Sequence, residues 1–259
     1  MNILCINTGS TSLKYEVFDQ NHVSTLKGEF GSNDILDRLI EELVDNSMQI
    51  NDFDVVVHRI VHGGGQYIKP THITDDVLNN LKELNHLAPL HNPPALKVVE
   101  EIFRRYPDTI QYAVFDTAFH DTKKEVAKYY GLPLELQKDL KIQRYGFHGI
   151  SHNYISDFIR KQYGEDQKII SCHLGGGCSI CAIADGKSVD TTMGFGPEEG
   201  LIMGTRCGDL GAAVVLYLIR KGYNPDQIEN ILNQESGLLG LSGVSFDLQD
   251  LEKIKKILK

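Results

Sequence analysis

Two arginines, an aspartate and a histidine lie beside glycines or at the end of an apolar run, where a substrate can approach them. Arg59 precedes a run of three glycines, Arg206 follows Gly204 closely, and Asp116 ends an apolar segment. Guanidinium groups present planar sets of donors that match a phosphoryl group or a carboxylate, and a carboxylate can bind Mg²⁺. These residues predict a site for an anionic substrate. Their structural alternatives are a buried arginine–carboxylate pair for either arginine and a helix cap for Asp116.

Two glycine- and serine-rich turns follow short apolar runs. Residues 7–12 follow the apolar residues 2–6, and residues 174–179 follow residues 168–173. A turn of this kind exposes backbone N–H groups that can hold phosphate oxygens. Neither turn has the P-loop or the Rossmann glycine pattern. Taken alone, each is better explained as an ordinary hairpin than as a phosphate loop.

Other catalytic and metal-binding patterns are incomplete. Cys178 and Cys181 form a single C-x-x-C without a second ligand pair, which a zinc site needs. His148 and His152 have i,i+4 spacing but lack the glutamate of the zinc-protease motif, and His152 is better explained as a structural histidine. No Gly-x-Ser-x-Gly occurs, so a serine hydrolase is not expected.

Strand-like and helix-like segments alternate along the chain. Apolar runs predict strands at 2–6, 13–18, 55–57, 111–115, 168–173 and onward through Ala184. Helical periodicity predicts helices at 34–46, 75–85, 96–106, 123–130, 153–162, 210–220, 225–233 and 247–259. The prolines at 89, 93 and 94 predict a loop over residues 86–94. This alternation is typical of a layered α/β protein.

A short internal repeat relates the two glycine-rich turns. Aligning Cys5 with Cys172 also places Gly9 on Gly176, Ser12 on Ser179 and Leu13 on Ile180. The repeat predicts two copies of one strand–turn–strand unit.

Composition narrows the class of protein. The 26 Lys and Arg against 35 Asp and Glu give a formal net charge of −9, which disfavours nucleic acid and anionic membranes as partners. Five cysteines, mostly in apolar sequence, predict reduced thiols. The N-terminus lacks a signal-peptide pattern, and no apolar run approaches the ~20 residues that span a bilayer. A cytoplasmic location is predicted.

Eight segments, in order, resemble motifs of the acetate kinase family, which includes propionate and butyrate kinases. They are Asn7-Thr-Gly-Ser-Thr-Ser-Leu-Lys-Tyr, His58-Arg-Ile-Val-His-Gly-Gly, Leu87-Ala-Pro-Leu-His-Asn-Pro, Phe115-Asp-Thr-Ala-Phe-His, Tyr145-Gly-Phe-His-Gly-Ile-Ser-His, Cys172-His-Leu-Gly-Gly-Gly, Val189-Asp-Thr-Thr-Met-Gly and Glu199-Gly-Leu-Ile-Met-Gly-Thr-Arg.

The resemblance implies a fold and a division into domains. It implies the duplicated, ribonuclease H-like α/β fold of actin, sugar kinases and Hsp70, with an incomplete second domain and ATP between the domains. Residues 1–147 would form the N-terminal, substrate-side domain, and residues 148–259 would form part of the nucleotide-side domain.

The resemblance also implies roles for individual residues. Arg59 and Arg206 would hold the carboxylate and the transferring phosphoryl group, His148 would stabilise that group, and Asp116 would be the catalytic carboxylate. Asn7 would lie near the metal and Lys14 near the phosphates. The remaining implied positions form an apolar acetate pocket (Val61, Leu90, Phe147 and Pro197) and a phosphate loop (His173, Leu174, Gly175, Gly176 and Gly177).

The implied activity is reversible, Mg²⁺- or Mn²⁺-dependent transfer of the γ-phosphoryl group of ATP to acetate by direct in-line displacement, in a homodimer. Acetate is already ionised at neutral pH, so Asp116 is expected to orient the metal or the substrate rather than remove a proton.

Three departures from the family pattern leave alternatives open. Gly176 replaces the usual asparagine, Gly211-Ala-Ala replaces the usual Asp-Pro-Ala, and the sequence stops before the family's adenosine-binding motifs. The alternatives are a propionate or butyrate kinase, a catalytically inactive fragment, and a sugar kinase or other ATPase of the same fold. A sugar kinase would need polar groups at the four positions of the apolar pocket.

Overall fold

The computed structural model describes residues 1–9, 12–31 and 34–257. The chain divides into two compact units, Met1–Ala118 and Phe119–Lys259, called here the first and second unit. The domain boundary proposed from the sequence, after Phe147, stays a prediction.

The first unit contains a mixed sheet and three α-helices among its described residues. The strands are β1 (Ile3–Thr8), β2 (Ser12–Phe18), β3 (Ser24–Gly31), β4 (Val55–Ile60), β5 (Thr71–His72) and β6 (Gln111–Phe115), in the sheet order β3-β2-β1-β4-β6-β5. β1, β4 and β6 are parallel neighbours. The helices are α1 (Ile35–Asp45), α2 (Asp75–Glu83) and α3 (Asn92–Arg105), with short 3₁₀ turns at Ile50–Asp52 and Leu84–Leu87.

The second unit contains a smaller antiparallel sheet, ordered β7-β8-β9 among the described residues. Its strands are β7 (Lys168–Leu174), β8 (Cys178–Ala184) and β9 (Lys187–Thr191). Its helices are α4 (Glu125–Lys128), α5 (Leu134–Asp139), α6 (Gly149–Tyr163), α7 (Ala212–Arg220), α8 (Pro225–Asn230), α9 (Gly237–Ser242) and α10 (Leu248–Ile257), with a π-helical turn at Ile231–Glu235. A 3₁₀ turn covers Ala118–Thr122.

The alternation of side chains along the central strands separates the core of the first unit from its polar residues. Leu4 and Ile6 of β1 pair in register with Val56 and His58 of β4 and point to one face of the sheet. Buried side chains of α1, α2 and α3 pack against residues of this face in two apolar clusters. The intervening residues of the strands therefore point to the opposite face, which carries Asn7 and Arg59.

The second unit places polar side chains on the buried face of its sheet. Ser179, Cys181 and Ile183 of β8 are buried, and α6 packs against β7. Ile170 and Leu174, on the other face of β7, are 69% and 74% exposed.

Two details of the predicted secondary structure were wrong. The predicted loop over 86–94 ends early, because α3 begins at Asn92 with prolines in its first turn, where a missing N–H costs nothing. The predicted helix over 123–130 is confined to Glu125–Lys128.

Both strand–turn–strand units of the predicted repeat form. The residue-by-residue alignment of the two units is wrong, because their strands pair in different registers. Asn7 pairs with Lys14, whereas Leu174, the repeat equivalent of Asn7, pairs with Cys178 instead of Cys181. Within the described residues, no helix has the length and apolar character needed to cross a bilayer.

Candidate active site

Asn7, Arg59 and Asp116 meet at the carboxyl ends of three adjacent parallel strands in the first unit. Nε and Nη2 of Arg59 donate to the two carboxylate oxygens of Asp116 at 2.9 and 2.5 Å. Nη1 of Arg59 donates to Oδ1 of Asn7 at 2.9 Å. Residues that end adjacent parallel strands share one edge of the sheet, so three distant stretches of sequence supply one cluster.

The environment of Arg59 favours its charged form. Burial lowers the pKa of Arg59 and the Asp116 carboxylate raises it, and the net shift is upward. The Asp116 side chain is 2% exposed and the Arg59 side chain 29%, so the carboxylate is buried and part of the arginine side chain reaches solvent. The structural alternative of an arginine–carboxylate pair is therefore realised, with Arg59 partly accessible.

The other site residues predicted in the first unit are Lys14, Val61 and Leu90, and within the described residues no side-chain hydrogen bond joins them to the Asn7–Arg59–Asp116 cluster. Lys14 pairs in register with Asn7 and lies on the same face, but its Nζ is 3.6 Å from Glu29 Oε2 and its side chain is 61% exposed. Val61 is buried directly after β4, whereas Leu90 is 38% exposed. Leu90 lines a cavity of about 790 Å³ together with prolines 89, 93 and 94 and part of α1.

His148 begins the corresponding cluster in the second unit. It precedes α6 in the left-handed backbone conformation, with φ 57°, which a non-glycine residue adopts only where surrounding contacts hold it. Its ring stacks on His173 with ring centres 4.0 Å apart. Phe147, the preceding residue, is buried, and its carbonyl oxygen lies 2.9 Å from His120 Nε2.

The predicted phosphate loop is the turn between β7 and β8. Gly175 N–H donates to the Gly177 carbonyl at 3.0 Å, and Gly204 N–H donates to the Gly176 carbonyl at 3.0 Å. A Cβ at Gly177 would lie 3.1 Å from His148 Nε2 and 3.6 Å from Arg206 Nη1. A side chain at position 177 would therefore crowd the imidazole of His148, which lies beside this turn together with Arg206.

Arg206 contacts a backbone carbonyl and a thioether. Its Nη1 donates to the Pro197 carbonyl at 3.2 Å and lies 3.8 Å from the sulfur of Met203. Glu198 is also nearby: burial raises the pKa of this carboxyl group, and Arg206 acts to lower it. The structure thus brings the predicted residues His148, Gly177, Pro197 and Arg206 together.

Hydrogen bonds among Tyr130, Glu199 and Phe195 fix the loop before Pro197. The sequence analysis did not predict these contacts. The Tyr130 hydroxyl donates to both oxygens of Glu199 at 2.6 and 2.8 Å, and Phe195 N–H donates to Tyr130 Oη at 2.6 Å. Burial and the Glu199 carboxylate raise the pKa of Tyr130. Glu199 lies in one of the recognised motifs, but no spacing rule links it to a tyrosine 69 residues away.

Ser179 is a second residue that sequence reasoning did not assign to the site. It lies 2.8 Å from His148 Nδ1 and 2.9 Å from His152 Nε2. The alignment of Ser12 with Ser179 was the available signal, and it was used only to detect the repeat.

Within the described part of the chain, the cysteines and acidic residues do not form a metal cluster. The cysteines are free thiols, as predicted. Among the residues that the structure describes, no group of three or more His, Cys, Asp or Glu side chains is arranged to hold a metal ion.

Comparison with known proteins places this geometry in a family. The model of the acetokinase family matches residues 27–257. Acetate kinase of Dictyoglomus thermophilum is 42% identical over 287 residues, covering 97% of this chain and 72% of that protein. Acetate kinase 2 of Clostridium perfringens is 41% identical, with 97% and 72% covered.

Solved structures agree with the sequence relatives. A propionate kinase from Francisella tularensis superposes with a TM-score of 0.91 at 34% identity, covering 98% of this chain and 73% of that one. Acetate kinase from Entamoeba histolytica superposes with a TM-score of 0.86 at 35% identity, covering 99% and 71%. These likenesses confirm the predicted fold, of which this chain spans nearly three quarters. The chain belongs to the acetokinase family.

Proposed function

We propose that this chain is an acetate kinase, which transfers the terminal phosphoryl group of ATP reversibly to acetate and forms acetyl phosphate and ADP. The observation that carries the proposal is the fixed guanidinium group of Arg59, held by Asp116 and Asn7 at the edge of the sheet. Membership of the acetokinase family identifies the chemistry for which such a group is suited.

Arg59 retains hydrogen-bonding capacity for an anion. A guanidinium group has five N–H donors, and its contacts with Asp116 and Asn7 use one hydrogen on each nitrogen. Within the described residues, one hydrogen on Nη1 and one on Nη2 remain for a carboxylate or phosphoryl oxygen. Fixed guanidinium donors of this kind orient an anion better than a single ammonium group does.

Asp116 acts in this proposal through Arg59. Acetate is ionised at neutral pH, so Asp116 has no proton to remove from it. Both of its oxygens accept hydrogen bonds from Arg59, which supports a role in holding the guanidinium plane. The predicted role of Asp116 toward the metal remains a prediction.

The oxygen atoms of this cluster suit Mg²⁺. Mg²⁺ keeps several waters and phosphate oxygens and takes only one or two oxygens from the protein, so a cluster of three acidic residues is not required. Asn7 Oδ1 or an Asp116 oxygen would hold the ion, with ATP supplying the other ligands. When bound, the ion neutralises charge on the β- and γ-phosphates.

The second unit supplies groups suited to the transferring phosphoryl group. In-line transfer spreads negative charge over the equatorial oxygens, and fixed donors stabilise that charge. His148 and Arg206 both line the glycine turn that is proposed as the phosphate loop. The action of Arg59 and Arg206 on one phosphoryl group stays a prediction.

A specific observation supports propionate as a second candidate substrate. The solved structure with a TM-score of 0.91 is a propionate kinase. An apolar pocket distinguishes substrates that differ by one methylene by only about 10- to 200-fold, so both acids are expected to react.

The test is formation of acyl phosphate by the purified chain. ATP, Mg²⁺ and acetate, propionate or butyrate are incubated with hydroxylamine, which traps an acyl phosphate as a coloured hydroxamate complex. We expect a Mg²⁺-dependent product, largest with acetate, that is lost in Arg59→Ala and Arg206→Ala. A folded chain that forms no hydroxamate with any of the three acids would instead support the inactive reading.

We also propose the cytoplasm as the location and a homodimer as the assembly. Both proposals rest on family membership. Size-exclusion chromatography with light scattering tests the dimer.

A further inference from the structure

Four side chains of the second unit form a continuous line of hydrogen bonds beneath the candidate phosphate loop. His148 Nδ1 lies 2.8 Å from Ser179 Oγ, and Ser179 Oγ lies 2.9 Å from His152 Nε2. On its other side, His152 Nδ1 lies 2.9 Å from Ser171 Oγ. His152 and Ser179 are fully buried and Ser171 is 4% exposed.

Secondary structure explains why these groups meet. His148 and His152 are four residues apart at the start of α6, so they lie on one side of the helix. Ser171 on β7 and Ser179 on β8 belong to the sheet face that α6 covers. The ring of His173 stacks on His148 from the same strand as Ser171, and its Nδ1 is held at 3.0 Å from Ser151 Oγ.

The Ser179 hydroxyl can bond its two neighbours in two ways in which it donates to one and accepts from the other. If it instead accepts from both, His148 carries its proton on Nδ1, as in the second of these ways. A hydroxyl has one proton, and a neutral imidazole has one donor and one acceptor nitrogen. If Ser179 donates to His148 Nδ1, then His152 Nε2–H donates to Ser179, and Ser171 donates to His152 Nδ1. If every bond is reversed, His148 carries its proton on Nδ1.

The two arrangements differ in what His148 presents to the glycine turn. Its Nε2 faces the position where a Gly177 Cβ would lie, next to Arg206. In the first arrangement Nε2 carries a proton and donates to an anion. In the second arrangement Nε2 presents a lone pair, which repels a phosphoryl oxygen.

We propose that Ser179 and His152 are positioning residues that hold His148 as its Nε2–H tautomer, with Ser171 ending the relay. The proposal rests on the proposed function, because only a phosphoryl acceptor at the turn requires the donor form. A hydrogen bond at one ring nitrogen sets which nitrogen carries the proton. The relay therefore prepares the donor before substrate arrives.

The direct test reads the tautomer in the chain without substrate. Histidines labelled with ¹⁵N are observed by long-range ¹H–¹⁵N correlation near pH 8, where an ordinary imidazole is neutral, and the His148 signals are assigned by their loss in His148→Gln. We expect the Nε2–H pattern for His148. The Nδ1–H pattern in the wild-type chain would overturn the proposal without bearing on whether the chain is a kinase.

Substitutions at position 179 test whether Ser179 fixes the tautomer of His148. In Ser179→Ala we expect the His148 signals to move toward a mixture of tautomers, and in Ser179→Thr, which keeps the hydroxyl, we expect the Nε2–H pattern to return. Ser156→Ala is the matched control, because this buried serine lies one turn after His152 and its hydroxyl has no hydrogen-bond partner in the part of the chain that the structure describes. An unchanged His148 pattern in Ser179→Ala would refute the relay.

Kinetics separate positioning from general damage. We expect Ser179→Ala to lower kcat about tenfold, the equivalent of one lost hydrogen bond, with little change in the KM for acetate. Ser179→Thr is expected to recover most of the rate, and Ser156→Ala to keep it. If the chain forms no acyl phosphate, the proposed function fails while the tautomer measurement still decides the relay.

Discussion

The two units hold their candidate cations in different ways. In the first unit, Arg59 is paired with the carboxylate of Asp116 and lies on the sheet face away from the helices. In the second unit, Arg206 contacts a backbone carbonyl and a thioether, and His148 is held by hydroxyl and imidazole groups between the sheet and α6. Arg59 is thus fixed by a direct two-point ion pair, whereas Arg206 donates to a backbone carbonyl and has the carboxyl group of Glu198 nearby. We expect the two-point pair to make Arg59 the more firmly oriented of the two cations.

Removal of the Asp116 charge is expected to have the largest effect. Asp116→Asn leaves the partly buried Arg59 side chain without its anion, which costs about 4 kcal/mol of the free energy of unfolding. Urea unfolding followed by circular dichroism measures the loss. Asp121→Asn is the control, because Asp121 is 40% exposed beside Lys128, and a surface pair is worth less than about 1 kcal/mol. Equal losses of the free energy of unfolding in the two variants would show that the Arg59–Asp116 pair stabilises the chain no more than a surface pair does.

The pH dependence of stability offers a second comparison of the two units, through a buried histidine in each. Burial lowers the pKa of His58 to about 4, against the upward influence of its bond to Gln111. Burial likewise lowers the pKa of His120 to about 3. A depressed pKa means that the unfolded chain binds the proton first. The stability that each neutral histidine provides is therefore complete above about pH 6.5 and is lost as the pH falls toward the folded pKa.

For His58 the loss between pH 6.5 and pH 4 is about 3 kcal/mol. The free energy of unfolding of the wild-type chain and of His58→Asn is compared across this range, and the variant should show the shallower dependence on pH. His22→Asn is the control, since His22 is exposed. A parallel pH dependence in His58→Asn and the wild-type chain would contradict the assignment.

Replacement of each arginine by lysine tests the contrast directly. Arg59→Lys loses the two-point bond to Asp116, so we expect both activity and stability to fall. Arg206→Lys keeps a charge that can reach the Pro197 carbonyl, so we expect a fall of about 100-fold in kcat with a change of less than about 1 kcal/mol in stability. Hydroxamate formation and urea unfolding measure the two quantities. A larger stability loss in Arg206→Lys than in Arg59→Lys would reverse the comparison.

The sequence was sufficient for the family and most strands, but not for the contacts within the site. Eight motifs in order identified the family, and apolar runs predicted the strands whose carboxyl ends lie at or beside Asn7 and Asp116. The pairing of Arg59 with Asp116 depends on which strands become neighbours, and 57 residues separate the two side chains. No local pattern encodes that distance.

The register between β7 and β8 also could not be predicted from the local sequence. Three glycines leave the backbone of the turn unconstrained by side chains, so packing against His148 and Gly204 decides where the hairpin closes. The Ser179 contacts depend on that register. The repeat therefore pointed to the correct serine while implying the wrong cross-strand partners for its neighbours.

Ser12 provides the smallest and most specific test of the contrast, because the sequence repeat aligns it with Ser179 although the two strand registers differ. Ser12 Oγ donates to Glu29 Oε1 at 2.8 Å in an exposed position, whereas Ser179 is fully buried between two imidazoles. Ser12→Ala is expected to change the free energy of unfolding by less than about 0.5 kcal/mol, and Ser179→Ala to lower it by about 1 to 3 kcal/mol because buried ring nitrogens lose their partner. Urea unfolding of both variants under one set of conditions gives the difference. Equal losses of stability in Ser12→Ala and Ser179→Ala would mean that the two serines contribute equally. The first unit would then also depend on a hydrogen bond of a neutral hydroxyl, that of Ser12, despite its exposed position.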